Sequence, residues 1–298
     1  NSALNVSLGL DFGTESMRAV LVALDGSGVV ATASRTYTHG QITPYSESAR
    51  NLELDVAPTF ALQHPSDWLR AASDAVADVL AQAPNHKVTG IGIDFTSCTM
   101  IPCFGSSATP LCMDPKFRKR PHAWPKLWKH HGAATQASDM TAVAKTSQDS
   151  QWLDARYGGV VGLEWLFPKA LEVFDNDREV YDTMDDWVEA GDWISWQLTG
   201  TKSKSACQAG YKAFWCEETG YPPASFFNNV RTDFGSVLGK VDTGKIVPPG
   251  EAVGGLRSHS SLTTCQLSGF CQIEEGTPVS VHVCVCVCVC VCVCTCLC

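Results

Sequence analysis

Three β-type runs fill residues 5–37 before any helical period appears, and this restricts the fold more than any other feature of the chain. Leu8, Leu10 and Phe12 alternate up to the segment Asp11-Phe12-Gly13-Thr14-Glu15-Ser16. Residues 17–24 (MRAVLVAL) are apolar and β-branched, and Asp25-Gly26-Ser27-Gly28 behind them is a hairpin-type turn. Residues 29–37 supply a third strand, which completes a meander. A dinucleotide-binding unit would pass from its first strand into a helix, with a glycine-rich turn between them. Here the glycine-bearing turn joins two strands, and neither GxGxxG nor GxxxxGK[ST] occurs.

The helical period starts at Leu62-Gln63-His64-Pro65-Ser66-Asp67. Ser66 is the expected N-cap, and Trp68, Ala72, Ala75, Val76, Val79 and Leu80 form one apolar face. Residues 88–95 (VTGIGIDF) read as a buried strand that ends among the polar Asp94, Thr96 and Ser97. In sheets covered by helices, ligands bind at the carboxyl ends of strands, so these residues carry weight. A second helix is expected over 163–174, from Leu163, Leu166, Phe167, Ala170, Leu171 and Phe174. A third is expected over 187–198, stopping at Thr199-Gly200. Tyr221-Pro222-Pro223 and Pro248-Pro249-Gly250 are loops. Meander, helix, strand, helix is an α/β organisation with a mixed sheet.

The other end of the chain is of a different kind. From His282 onward it reads HVCVCVCVCVCVCTCLC. Alternating Val and Cys codons, GTG and TGT, spell a plain GT repeat. The expectation is that genuine coding sequence stops near Val281 and that 282–298 is translated repeat, a non-native, low-complexity tail. High β-propensity without charge or proline also makes that tail an aggregation liability.

Net charge excludes one class of partner. At −9, the chain lacks the clustered Lys and Arg that a nucleic-acid face needs. The local run Lys116, Arg118, Lys119, Arg120 reads as a solvated loop. No stretch reaches the ~18 apolar residues of a membrane helix, and the start shows no secretory signal. Eight of the fifteen cysteines lie in the tail. The others (Cys98, Cys103, Cys112, Cys207, Cys216, Cys265, Cys271) form no CxxC pair and no zinc-type spacing, and read as reduced thiols of a cytoplasmic protein.

Asp11-Phe12-Gly13-Thr14-Glu15-Ser16-Met17-Arg18 is the first candidate for chemistry. A tight turn at Gly13 turns backbone N–H groups toward an anion, and the Thr14 and Ser16 hydroxyls add donors. Asp11 at a strand end can hold Mg²⁺ through water, and Arg18 can neutralise phosphate oxygens. An ordinary hairpin with a surface arginine is the alternative.

The segment Leu10 to Ser16 resembles the first phosphate loop of the FGGY carbohydrate kinases. Further segments resemble the ribulokinase branch: GIGIDFTSCTM (90–100), Arg120-Pro121-His122-Ala123, KLWKHH (126–131), ARYGG (155–159), EAGDWI (189–194) and AGYKA (209–213). The likeness is collinear from Asn5 to about Val281. It implies an actin/hexokinase-like ATPase (ribonuclease H-like) lobe, α/β with a mixed sheet, whose second lobe is missing. Residues 1–281 would form the N-terminal sugar-binding domain, with 245–281 open to being a linker. The implied reaction moves the γ-phosphate of ATP to the 5-hydroxyl of L-ribulose with Mg²⁺. Other substrates of the same class are D-ribulose, xylulose and ribitol.

Carried over motif by motif, Asp11, Gly13, Thr14, Glu15, Ser16 and Arg18 would serve ATP, with Asp11 also toward the metal. Thr96, Ser97, Cys98, Trp128 and Lys212 would face the ketopentose. Ser97 stands where relatives often have Ala or Gly. Lys212 beside Tyr211 and Phe214 could equally snorkel from a strand, and Trp128 could be plain core. His130-His131 reads as surface. The family's catalytic base, an Asp at the end of the strand after Glu275-Gly276, would fall near Val285 inside the repeat, so the chain is expected to lack its base and to be inactive alone. The expected partners are a small ketopentose and either a second copy or a C-terminal lobe, with neither nucleic acid nor membrane. A non-catalytic sugar-binding module is the rival reading.

Overall fold

The computed structural model describes residues 3–105, 107–146, 151–257, 273 and 276–282. Cys265, Cys271, the 283–298 part of the tail and the Val285 position of the expected base lie outside them. The strands are β1 (Asn5–Phe12), β2 (Ser16–Ala23), β3 (Gly28–Thr36), β4 (Lys87–Phe95), β5 (Met100–Phe104), β6 (Thr109–Pro110), β7 (Asp186–Glu189), β8 (Ser203–Ser205), β9 (Lys245–Val247), β10 (Gly254–Gly255) and β11 (Pro278–His282). The helices are α1 (Glu47–Asn51), α2 (Pro65–Gln82), α3 (Ala134–Thr146), α4 (Gln151–Tyr157), α5 (Leu166–Asn176), α6 (Arg178–Thr183), α7 (Ala190–Thr199), α8 (Ala206–Lys212), α9 (Ala224–Val230) and α10 (Leu238–Val241).

The main sheet has the order β10-β11-β4-β1-β2-β3. The meander of β1, β2 and β3 is antiparallel, whereas β4 runs parallel to β1 and β11 parallel to β4. Period-two alternation sends Leu8, Leu10, Phe12, Ile91, Ile93 and Phe95 into one core with α2 and α7. Phe12 stacks on Phe95 at 5.3 Å, and Trp68 of α2 meets Phe95 edge-on at 5.0 Å. Asp11 and Asp94 alternate to the other face, side by side in register. The span 245–281, expected to include a linker, contributes β9, β10 and most of β11 to the sheets of this domain. A second core gathers around α3, α5, α6 and α9, and includes Phe167, Leu171, Phe227 and Phe234.

Several expected boundaries move. Pro65 opens α2 and His64 is its N-cap, with the imidazole accepting the Ser66 N–H at 3.2 Å. A proline at the first helical position fits because its missing N–H is unneeded there. The helix expected from Leu163 starts at Leu166 with Trp165 as N-cap, since Pro168 is tolerated only in a first turn. The helix expected from Trp187 starts at Ala190. Residues Asp186–Glu189 form β7 instead, wholly buried and antiparallel to β5. A short apolar run of this kind looks the same as a buried helical segment by periodicity. Gly200 ends α7 as expected, at φ 75°.

Lys212 closes α8 rather than lying on a strand, because Ser205 at the end of β8 is the N-cap position of a short helix. His130 is not on the surface. It is fully buried, with Nε2 at 2.8 Å from Glu172 of α5, while His131 is exposed. The basic run is largely paired: Lys116 lies 2.7 Å from Glu179, Lys119 pairs with Glu53, and Arg120 with Asp177 and Glu179. Among the described cysteines, Cys98, Cys103, Cys112 and Cys216 are buried free thiols and Cys207 is partly exposed.

Candidate active site

The turn between β1 and β2 is short because Phe12 pairs with Met17. The Gly13 N–H donates to the Ser16 carbonyl at 3.0 Å and closes the turn, so that amide is engaged within the turn itself. A Cβ at Gly13 would lie 3.1 Å from the same carbonyl oxygen. Thr14 is held at both ends. Its hydroxyl accepts the Trp128 indole N–H at 3.0 Å, and its carbonyl accepts the Gln63 amide at 2.8 Å. The exposed Glu15 pairs with Gln41, and its carbonyl accepts the Tyr37 N–H. Ser16 is half-buried at the start of β2. Arg18 reaches back across the register to Asp11 at 3.1 Å. Burial raises the Asp11 pKa and the Arg18 guanidinium opposes the rise.

At the end of β4, the Thr96 N–H donates to the Phe12 carbonyl, and the Thr96 and Thr99 hydroxyls lie 3.0 Å apart. Ser97 is 9% exposed. Cys98 sits in the left-handed region at φ 65°, which costs a non-glycine residue on the order of 1 kcal/mol unless its surroundings hold it there. Those surroundings are Glu189 and Lys169. The Cys98 N–H donates to Glu189 Oε2 at 2.9 Å, and Lys169 Nζ donates to the Cys98 carbonyl at 2.7 Å. The thiol itself is fully buried, and burial pushes its pKa well up. Cys98 therefore shapes this turn through its backbone and offers no exposed side chain.

The sequence-derived residues form two groups that meet at Trp128. The β1–β2 turn touches the half-buried Trp128 through Thr14. Lys169, which holds the turn after β4, also donates to the Leu127 carbonyl at 2.8 Å, one residue before Trp128. Lys212 is half-buried, with its ammonium 5.0 Å from the Tyr211 ring centroid.

The chain is 39% identical over 278 residues to a ribulokinase of Shouchella clausii, covering 92% of this chain and 47% of that protein. A ribulokinase of Anoxybacillus flavithermus is 37% identical over 276 residues. The chain belongs to the ribulokinase branch of the FGGY carbohydrate kinases. It spans about half the length of the curated relatives it matches. No protein-family model matches it. Among solved structures, xylulose kinase from Rhodospirillum rubrum superposes with TM-score 0.70 at 18% identity, over 93% of this chain and 49% of that one. Plasmodium falciparum glycerol kinase with ADP gives 0.70 at 12%, over 95% and 49%. The actin/hexokinase-like lobe is therefore the fold of this chain.

Glu189 of the family-like EAGDWI segment is the most perturbed carboxyl near the site. Burial first, and the Asp192 carboxylate second, push its pKa up to about 8, against Lys169, the Cys98 amide and Lys212. Its other oxygen, Oε1, is buried with no partner among the described residues, as suits a protonated carboxyl. Sequence reasoning did not single out Gln63, Lys169 or Glu189 as site residues. Each belongs to an otherwise ordinary segment and acquires its role from partners far away in the chain.

A His39, His64 and Asp67 grouping has the composition of a metal site, but its groups largely satisfy one another. His39 Nδ1 lies 2.9 Å from Asp67, Arg70 also reaches Asp67, and the two imidazoles stack at 4.2 Å. Nearby, a cavity of about 470 Å³ lined by Thr38, His39, Glu47, Ser48 and Arg118, among others, contains none of the candidate kinase residues.

Proposed function

We propose that this lobe is the sugar-holding and phosphate-facing half of an ATP-dependent ketopentose kinase, with L-ribulose the favoured substrate. The observation that carries the reading is the Thr14–Trp128 hydrogen bond. It joins the turn that resembles a phosphate loop, which follows β1, to the aromatic side chain assigned to the sugar.

In this reading, Trp128 packs against the C–H face of the sugar and Lys212 donates to its oxygens. Ser97 and Thr96 present backbone and hydroxyl groups from the turn after β4. Arg18 and the Thr14 and Ser16 hydroxyls face the phosphates, and Glu15 flanks them. The donor set fits Mg²⁺, because Asp11 is a hard oxygen ligand with Asp94 in register beside it. The ion, when bound, supplies charge neutralisation between phosphate oxygens. The Asp11–Arg18 pair keeps the carboxylate beside the place where that charge is needed.

The base expected from the resemblance belongs at the carboxyl end of β11. That strand runs parallel to β4 with His282 opposite Asp94, so its end opens at the same edge as Thr96 and Ser97. A missing base costs ~10²–10⁴-fold in the chemical step. Closure by a second lobe, supplied as a C-terminal lobe or by a partner chain, would bring the adenosine. Among the described residues no helix is long and apolar enough to cross a membrane, and the reading places the protein in the cytoplasm.

The test is the polypeptide 1–298 itself. L-ribulose without nucleotide should raise its melting temperature, since a ligand at 100 times its Kd adds about 2.7 kcal/mol. A coupled assay with L-ribulose and MgATP should show no turnover above background. A melting temperature indifferent to L-ribulose, D-ribulose, xylulose and ribitol alike would remove the sugar-site reading.

A further inference from the structure

We propose that Lys169 is a positioning residue that fixes the separation of the two walls of the sugar site, by holding the turn after β4 and the Trp128 segment on one buried ammonium. The inference rests on the sugar-site reading above but concerns a residue that reading does not use.

The α5 sequence LFPKALEVFDN has the alternation of an amphipathic helix, on which Lys169 and Glu172 would occupy the polar face. Both are instead buried, at 0% and 1% exposure. An ammonium removed from water must have its donors filled. Glu172 is committed elsewhere, to Lys126 at 3.3 Å and to His130 at 2.8 Å. Lys169 donates to two carbonyls, Cys98 at 2.7 Å and Leu127 at 2.8 Å. Cys98 is the left-handed residue directly after Ser97, and Leu127 directly precedes Trp128.

Paired backbone bonds between Met100 and Lys126 already join these segments at their bases. Lys169 adds a second tie nearer the ligand-facing ends, and Glu189 grips the opposite side of the Cys98 peptide. A single cation bonded to both walls gives their spacing a defined value, and such tolerances decide whether several weak sugar contacts are made together.

The test compares Lys169→Met, which keeps the alkyl stem and removes both donors, with Val173→Ala, a buried change on the same helix that leaves the tie intact. In the sugar-free chain, hydrogen exchange is read at the Cys98 amide and at the His130 amide, which donates to the Leu127 carbonyl at 2.9 Å. Both should exchange at least tenfold faster in Lys169→Met and keep their rates in Val173→Ala. L-ribulose affinity, read by calorimetry below both melting temperatures, should fall at least tenfold in Lys169→Met and stay within twofold in Val173→Ala.

Where Lys169→Met does not fold, Lys169→Arg, which moves the donors without removing the charge, should weaken the sugar at least threefold. Unchanged exchange at both amides, or equal effects of the two substitutions, overturns the tie. Absence of ribulose binding by the unsubstituted chain, with the paired exchange response present in Lys169→Met, overturns the sugar-site reading and leaves the tie standing.

Discussion

The Trp128 indole donates to the Thr14 hydroxyl at 3.0 Å across 114 positions of sequence. This one bond connects the first turn of the chain, where phosphate is expected, to the segment proposed to wall the sugar. Thr14→Val keeps the shape and removes the acceptor, so stability should fall by about 1 kcal/mol. The same substitution on a Trp128→Phe background should cost less than half as much. A double-mutant cycle by denaturant unfolding reads the coupling directly, and additive effects would show that the bond contributes nothing.

Glu172 is the counter-ion of a buried group. Its carboxylate is held down to about 2: burial works to raise the pKa, and the Lys126 ammonium and the His130 ring outweigh it. Glu172→Gln leaves Lys126 charged and uncompensated in the interior, and should destabilise the lobe by about 3 kcal/mol. Lys119→Ala breaks only a solvent-facing pair with Glu53 and should stay within about 0.5 kcal/mol. Chemical denaturation of the two variants separates a buried ion pair from an exposed one.

Acid should unfold the lobe earlier than its carboxylates alone would require. Burial lowers the pKa of His122 and His130 to about 3 and of His64 to about 4, from an ordinary 6.5. In the unfolded chain these rings take up protons at higher pH than in the folded one. The stability they contribute is complete above pH 6.5 and is lost as pH falls toward 3. Melting temperature should therefore decline steadily from pH 6.5 to 4. A flat profile over that window would mean that the three imidazoles are not held neutral.

Gly200 tests a backbone requirement away from the site. It caps α7 at φ 75°, a conformation that costs an L-residue on the order of 1 kcal/mol. Gly200→Ala should lower stability by that amount in thermal melts and leave ribulose affinity unchanged.

The meander, β4 and the α2 face were legible in the sequence because each is a local repeat of apolar positions with one buried face. The polar residues at the end of β4 were legible for the same reason, since the strand pattern stops at them. His130, Lys169, Glu172 and Glu189 were not. Their charges suggest solvent, and only partners dozens of residues away make burial tolerable for them. Strand β7 was hidden by continuity, because Trp187 and Val188 extend the apolar pattern of α7 without interruption. Cys98, set toward the sugar by the resemblance, buries its thiol, and a left-handed backbone at this position has no signal in the sequence.

The placement of β11 has a consequence for biogenesis. That strand is remote in sequence from β4 yet pairs with it, between β10 and β4 in the main sheet. On the ribosome, the meander and β4 emerge early and can pair at once, while the outer edge of β4 stays bare until residues 278–282 are made. Non-local closure of this kind slows folding, and a naked strand edge recruits other strands in the meantime. Nascent chains of this protein should consequently depend on chaperone shielding until residues 278–282 have emerged.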